Sequence, residues 1–200
     1  MRKLIRKLSD MRGISGFEYR LTDQIADMFK KYCDDVKIDS LGSVIAVKRS
    51  NKPNAPKLMI EAHCDEIGLI VTSITDEGYL TFANVGGVDE RTLPSTEVTV
   101  HGKEDLWGVI GIKPNYLLEQ GKTARLKELA VDTGLSAEKV KELAAVGDSI
   151  TLAQSVGRLG KKQFSGKSLD DRASVSAIMR VMKNIKDLDI DIDVYAVAAV

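Results

Sequence analysis

The stretch LMIEAHCDE, residues 58–66, joins an apolar run to a His-x-Asp pattern and decides the fold class. A short apolar run of this length, which a Pro-containing loop precedes, is typical of a strand in a sheet. Because side chains alternate along a strand, His63 and Asp65 share one face and Cys64 points to the other. The sequence therefore predicts a polar site where a core strand ends.

The pairing of a histidine with a nearby carboxylate has two interpretations. Asp65 can accept the second ring N–H of a metal-binding His63, which fixes the tautomer and raises the basicity of the other ring nitrogen. The two residues can equally form a structural pair, and such pairs are more common than metal sites. His-x-Asp alone therefore favours the structural interpretation.

Helices precede this strand in the sequence, and further strands surround it. Apolar residues at helical spacing predict a helix over 4–11, and Ser15 followed by Glu18 is a capping-box pattern that begins a second helix. The apolar run at 194–200 predicts a buried central strand. Other strands are predicted at 36–39, 44–47 and 58–62. These elements indicate an α/β fold.

Strand-like alternation replaces helical spacing after Asp65, and helical spacing returns at Ser168. We therefore expect one α/β domain formed by 1–69 and 163–200, interrupted by a β-rich domain at 70–162. Within the insertion, strands are predicted at 67–74, 79–82, 97–100, 108–112 and 149–152, and helices at 123–131 and 136–145. Its core is expected to include Val71, Leu80, Phe82, Val98, Val109, Ile112 and Ile150. The last helix is expected to bury Val175, Ile178, Val181, Met182 and Ile185.

A second polar pattern, GKSLDDRAS at 166–174, lies where the insertion ends and this helix begins. Acidic residues at a helix start commonly cap the helix or complement its dipole, which would explain Asp170 and Asp171 without any function. Together with His63, however, Asp170 would begin a carboxylate-imidazole metal site at the carboxyl ends of core strands. These donors suit Zn²⁺, Co²⁺ or Mn²⁺.

The composition excludes several classes of protein. The 29 Lys+Arg residues balance 29 Asp+Glu residues, so no nucleic-acid partner is expected. No window approaches the roughly 20 apolar residues of a membrane span, and the N-terminus lacks the apolar core of a secretion signal. Two cysteines without a CxxC spacing fit a reducing compartment. We therefore expect a cytoplasmic protein that does not bind membranes, in which His101 is a surface loop residue.

Seven short sequence blocks occur in the order that is found in the dinuclear-metal aminopeptidases. This family includes glutamyl and tetrahedral aminopeptidases and is often labelled endoglucanase or cellulase M. The blocks lie at 15–18, 41–44, 61–68, 85–94, 108–114, 146–148 and 167–173. Each block alone is a weak signal, but their common order along most of the chain is specific. The chain therefore resembles the N-terminal portion of such an enzyme.

The resemblance implies a phosphorylase/hydrolase-like three-layer α/β catalytic domain, incomplete here, that a small β-rich dimerisation domain interrupts. It implies homo-oligomers built from dimers, often dodecamers, that remove N-terminal residues from peptides with two divalent metal ions, Zn or Co. The matching residues are His63 as a metal ligand, Asp170 as the bridging ligand and Asp65 as the catalytic residue that orients His63. A cis peptide is implied between Asp170 and Asp171.

The family's general-base glutamate and its remaining ligands follow the strand that matches 195–200, so the 200-residue chain is expected to be inactive by itself. Cys64 departs from the family pattern, which has a hydrophobic residue there, and is expected to pack away from the metal. Two alternatives remain open. A glycan hydrolase is prompted by the endoglucanase label, and the chain could also be a non-catalytic oligomerisation fragment.

Overall fold

The structure is a computed structural model that describes residues 1–112 and 125–200. The chain divides into two compact units: unit 1 contains Met1–Glu66 and Ser155–Val200, and unit 2 contains Ile67–Gln154. The motif residues Lys113 and Pro114, and the start of the helix expected at 123–131, lie outside the described residues.

The helices are α1 (Arg2–Asp10), α2 (Tyr19–Phe29), α3 (Ala137–Leu143) and α4 (Leu169–Ile185). The strands are β1 (Asp35–Ile38), β2 (Val44–Lys48), β3 (Lys57–His63), β4 (Gly68–Ile74), β5 (Leu80–Val85), β6 (Glu97–His101), β7 (Asp105–Ile112), β8 (Leu129–Asp132), β9 (Ser149–Leu152), β10 (Gly157–Leu159), β11 (Gln163–Ser165) and β12 (Asp193–Ala199). No helix among the described residues is long and apolar enough to cross a membrane.

Unit 1 contains a four-stranded sheet in the order β1-β2-β12-β3. The predicted central position of the last strand is confirmed, because β12 pairs antiparallel with β2 and parallel with β3. The β12–β3 register places Ala199 beside His63, so the carboxyl ends of both strands meet at one edge. In the described sheet β3 is an edge strand, and its Met59 is 67% exposed.

Helices α2 and α4 cover the sheet of unit 1 with apolar side chains that include Leu21, Ile25, Phe29, Val175, Ile178, Met179 and Met182. The helical period of α4 is as predicted, and Val175, Ile178 and Met182 are buried as expected, with Ile185 partly buried against the same core. Val181 is 43% exposed, whereas Met179 and the polar residues Arg172 and Ser176 are buried. The apolar spacing therefore predicted the helix and most of its buried face, but it was wrong for Val181.

The insertion is shorter than the expected 70–162, since it begins at Ile67 and ends at Gln154. The residues after Gln154 belong to unit 1, and a hydrogen bond from the backbone of one of them joins it to helix α1. The N–H of Val156 donates to Oδ1 of Asp10 (3.2 Å), and β10 pairs with β11 as a two-stranded sheet just before α4.

Unit 2 is a closed six-stranded barrel in the order β4-β5-β8-β7-β6-β9. The prediction of a β-rich unit with its own core is confirmed for Val71, Leu80, Phe82, Val98 and Ile150. It is wrong for Val109 and Ile112, because β7 turns Leu106 and Ile110 inwards, so that Val109 lies on the other face. Ile112 is on the same face of β7 as Ile110, but it is the last residue of the strand and its side chain is 41% exposed.

The predicted helix at 123–131 is wrong in its described part. Leu126–Glu128 forms a single 3₁₀ turn, and Leu129–Asp132 is strand β8, which pairs with β7. Here barrel pairing outweighs the local helical spacing. Gly108 allows this pairing, because a Cβ at that position would lie 2.6 Å from Val131 Cγ1. The helix expected at 136–145 is confirmed as α3, with Ser136 as its N-cap.

His101 is a barrel residue rather than the expected surface loop residue. It ends β6, and its side chain is only 9% exposed. Nδ1 lies 2.8 Å from Oδ1 of Asp105, and Nε2 lies 2.9 Å from the hydroxyl of Thr151. Pairing of β6 with β7 and β9 brings these partners together, which local sequence does not reveal.

The orientation of β7 gives a stability prediction for two isoleucines of the same strand. Ile110→Ala removes methyl groups from a fully buried site, so the free energy of unfolding of unit 2 should fall by about 2–5 kcal/mol. Ile112→Ala is the matched control at an exposed site and should cost less than about 1 kcal/mol. Urea unfolding followed by circular dichroism measures both values. Equal losses would contradict the barrel orientation of β7.

Candidate metal centre

His63, Asp65 and Asp170 form one cluster of side chains in unit 1. Nδ1 of His63 lies 2.9 Å from Oδ1 of Asp65, and Nε2 lies 3.2 Å from Oδ1 of Asp170. Asp170 is 107 residues beyond His63 in the sequence, so the fold alone brings them together. The prediction that these three side chains converge where the core strands end is confirmed.

The end of β3 orients the first half of this cluster. His63 is the last residue of β3, and the backbone N–H of Cys64 still donates to the carbonyl of Ala199 (2.9 Å). As strand alternation predicts, Cys64 is fully buried while the side chain of His63 is 46% exposed. Cys64 therefore packs into the core while its neighbours face the open site.

Ser15 belongs to the site, although its sequence pattern suggested a helix cap. Its hydroxyl donates to Oδ2 of Asp65, so each oxygen of that carboxylate has a partner. The predicted capping box is wrong, because α2 begins at Tyr19 with Glu18 as its N-cap. The carboxylate of Glu18 instead accepts from the backbone N–H of Gly16 (2.7 Å).

Asp170 lies at the start of α4 in a local conformation that frees its side chain. Both Asp170 and Asp171 have non-helical backbone angles, and the peptide bond between them is cis, as the resemblance implied. Ser168 is the N-cap residue, and its side chain makes no cap hydrogen bond. The Asp170 side chain is 96% exposed, and His63 is its contact among the described residues. Helix capping therefore does not account for Asp170.

The two carboxylates determine the charge preference of the imidazole. Burial of the ring lowers the pKa of His63, but the hydrogen bonds and negative charges of Asp65 and Asp170 outweigh it, so the pKa is raised overall. A neutral ring carries one N–H and can donate to one carboxylate, whereas an imidazolium donates to both. A cation held between these groups would replace that second proton.

The donor set fits a divalent metal ion in its chemistry. An imidazole nitrogen and a carboxylate oxygen are the ligands that Zn²⁺ and Co²⁺ accept, and Asp65 supplies the outer carboxylate that orients a metal-binding histidine. Both candidate ligand side chains are accessible, since His63 is 46% exposed and Asp170 is 96% exposed. Among residues 1–112 and 125–200, however, no group of three His, Cys, Asp or Glu side chains is arranged to hold an ion. The described residues therefore offer two candidate ligands, His63 and Asp170, and no complete metal site.

Three buried charged residues flank the site and were missed by sequence analysis: Glu66, Lys167 and Arg172. Burial lowers the pKa of Lys167 and of Arg172, while the nearby carboxylate of Glu66 opposes that shift. One signal was available, since Arg172 lies at helical spacing from Val175 and Met179, on the face that α4 buries. A charged residue on a buried face indicates a specific partner.

The burial of Cys64 gives a prediction that tests the orientation of the β3 end. Burial raises the pKa of the Cys64 thiol to about 12 and that of Cys33 to about 11, but Cys33 is only half-buried. A Cys33→Ser chain should react with Ellman's reagent at least about 100-fold more slowly than a Cys64→Ser chain, until urea unfolds it. Comparable rates in the native state would contradict the inward orientation of Cys64.

Comparison with known proteins gives the family of the chain. A family model described as M42 glutamyl aminopeptidase matches residues 42–200. The lysyl aminopeptidase of Pyrococcus furiosus is 34% identical over 99% of this chain and 58% of its own length. Among solved structures, an aminopeptidase of the archaeon Desulfurococcus kamchatkensis is 36% identical with a TM-score of 0.90, covering 98% of this chain and 54% of its own.

The TET1 peptidase of Pyrococcus horikoshii, which can assemble into a tetrahedron or a large octahedral shell, is 33% identical with a TM-score of 0.86. The match covers 98% of this chain and 60% of that protein. The chain thus spans a little over half the length of the relatives that it matches. Because the family model covers most of the chain, the assignment is clear: this chain belongs to the M42 glutamyl aminopeptidase family.

Proposed function

We propose that this chain carries part of the active site of a metal-dependent aminopeptidase, an enzyme that removes N-terminal residues from peptides. His63 and Asp170 would bind divalent ions, Zn or Co, and Asp65 would act as the catalytic residue that orients His63. The observation that carries the proposal is the contact of His63 Nε2 with Asp170 Oδ1, with Nδ1 held by Asp65. The family membership supports the same reaction class.

Each residue of the cluster has a separate task in this proposal. Asp65 lies between Ser15 and His63, so its carboxylate fixes the ring and leaves Nε2 to face the metal site. The Asp170 side chain is 96% exposed, so its carboxylate is accessible from solvent, as a ligand shared by two ions must be. The bound ions would polarise the scissile carbonyl and lower the pKa of a water molecule for its attack.

The chain belongs to the family, but the candidate ligands among its described residues are too few for a catalytic metal site. A catalytic zinc site commonly has three protein ligands, and the described residues supply two. We propose that the remaining ligands and the general base lie in the part of the relatives' length that this chain does not span. The 200-residue chain would then bind metal weakly and turn over no substrate.

The test compares the 200-residue chain with a longer chain that includes the residues its gene encodes after Val200. Both chains are assayed on aminoacyl chromogenic substrates with added Co²⁺ or Zn²⁺. The extended chain should show turnover that a chelator abolishes, and the short chain should show none. In the extended chain, His63→Ala and Asp170→Asn should lower kcat/KM by about 1,000-fold or more, and Asp65→Asn by about 10–100-fold.

His101→Gln is the matched control, because it changes the other histidine, which lies in the barrel of unit 2. It should change kcat/KM less than about 3-fold. Metal-dependent turnover by the short chain would contradict the ligand count. Metal-independent turnover by the extended chain would contradict the proposed chemistry.

The same two chains, assayed on glycans as well as on aminoacyl substrates, separate the two alternatives. A glycan hydrolase needs two carboxylic groups that flank a sugar cleft and needs no metal, so it would cleave glycans in the presence of a chelator. A non-catalytic oligomerisation fragment would leave even the extended chain inactive on both kinds of substrate. The exposed imidazole beside an exposed carboxylate favours the metal-dependent peptidase over both.

We further propose that unit 2 is a dimerisation domain and that the protein forms homo-oligomers built from such dimers, dodecamers among them. The likeness to TET1 peptidase supports assembly, and unit 2 exposes Trp107 (58%), an unusual side chain to leave in water. Light scattering after size exclusion should give a dimer or larger species, and Trp107→Glu should reduce its mass. Leu41→Glu, at an exposed leucine of unit 1, is the control and should leave the mass unchanged.

We also propose that the protein works in the cytoplasm. Cys33 and Cys64 are free thiols, which suits a reducing compartment.

A further inference from the structure

Beside the candidate metal centre, Glu66, Lys167 and Arg172 form a buried charge cluster. The side chains are 3%, 10% and 0% exposed, respectively. Nζ of Lys167 lies 2.8 and 2.7 Å from the two oxygens of Glu66, and Nη2 of Arg172 lies 3.5 Å from the same carboxylate. One buried carboxylate thus serves two buried cations.

Arg172 uses its remaining donors on backbone carbonyls of separate segments. Nε donates to the carbonyl of Cys64 (2.7 Å), the residue between His63 and Asp65. Nη1 donates to the carbonyls of Leu8 (3.0 Å), Ser9 (3.4 Å) and Met11, and Nη2 to that of Gly13 (3.2 Å). The guanidinium therefore ties the end of α1, the chain after it and the end of β3 to the start of α4.

Glu66 and Lys167 tie the segment before Asp170 to the same place. Glu66 accepts hydrogen bonds from the backbone N–H of Gly13 (3.1 Å) and from the hydroxyl of Ser168. Lys167 also donates to the carbonyl of Met11 (3.2 Å). The segment that leads into Asp170 is thereby joined to the residue that follows Asp65.

Stability alone does not account for burying three charges. The loss of hydration is expensive, and well-packed apolar residues in place of a buried ion cluster are often neutral or stabilising. The positions of the charges suggest what they do. Glu66 directly follows Asp65, Lys167 precedes Asp170 by three residues, and Arg172 follows Asp170 by two.

We propose that Glu66, Lys167 and Arg172 are positioning residues that hold the His63 and Asp170 segments at the spacing a divalent cation requires. This inference rests on the proposed metal site, since it concerns the geometry of the same ligands. The charges of the cluster act through backbone and neighbouring residues, and none of the three side chains is itself a ligand. Loss of Lys167, which leaves Glu66 paired with Arg172, should therefore weaken metal binding in a chain that still folds.

Lys167→Met is the informative variant, because it leaves Glu66 and Arg172 as a balanced ion pair while freeing the segment before Asp170. The readout is a Co²⁺ titration of the 200-residue chain followed by NMR, because paramagnetic Co²⁺ broadens the signals of nearby protons. The quantity compared is the half-broadening Co²⁺ concentration, at which the imidazole signals of His63 reach half of their maximal broadening. The chain has only two histidines, so His101 is an internal reference in the same sample. Urea unfolding of each chain measures stability separately.

Lys48→Met is the matched control. The Lys48 side chain is also largely buried (16% exposed), and its Nζ lies 3.7 Å from Oδ2 of Asp34. Lys48 pairs with Val194 near the start of β12, whereas the site lies beside the carboxyl end of that strand. Lys167→Met should raise the half-broadening Co²⁺ concentration by about 10-fold or more, as loss of outer-shell partners does in metal sites. Lys48→Met should leave that concentration unchanged within about 2-fold.

Ser168→Ala keeps the test decisive if Lys167→Met does not fold. It removes one hydrogen bond to Glu66 and no charge, and it should raise the Co²⁺ concentration by about 3-fold. Folded variants with unchanged Co²⁺ response at His63 would overturn the positioning role and leave the proposed function intact. A wild-type chain whose His63 responds no more than His101 would overturn the metal assignment itself, and this inference with it.

Discussion

The guanidinium of Arg172 holds together the parts of unit 1 that local structure leaves apart. It is fully buried, and it donates to backbone carbonyls near the end of α1, in the chain after it and at Cys64 beyond β3. Backbone carbonyls at the end of a helix or strand have no hydrogen-bond partner within that element, so they need another partner when they are buried. One cation with five fixed donors supplies several of them, and the carboxylate of Glu66 lies between this cation and Lys167.

This arrangement explains how a large insertion can interrupt the α/β unit without dispersing its polar residues. Ile67–Gln154 folds as a barrel around its own apolar core, which is a cluster of residues separate from the core of unit 1. The two segments that border the insertion each contribute members of the buried charge cluster. Glu66 is the last residue before the barrel, and Lys167 follows soon after the chain returns. His63 and Asp170, the proposed ligands, lie just outside these contacts.

Much of the fold could be predicted from periodicity. The apolar run near Val194 indicated a central strand, and alternation indicated a β-rich insertion, because each pattern records which face must be buried. The prediction was wrong for residues 129–131, since Leu129 and Val131 suit either a helix or a strand and pairing with β7 decides between them. The inward face of β7 and the ends of the insertion were equally beyond a local pattern.

For the site, the sequence by itself determined that His63 and Asp65 share a face, that Cys64 turns into the core, and that Asp170 belongs to a second polar segment. Only the tertiary structure decided that His63 and Asp170 meet, that Ser15 bonds Asp65 instead of capping a helix, and that Arg172 lies buried among carbonyls. The reason is physical. Alternation of side chains follows from backbone geometry within a few residues, whereas a buried polar group is satisfied by whichever distant segment the fold brings near it.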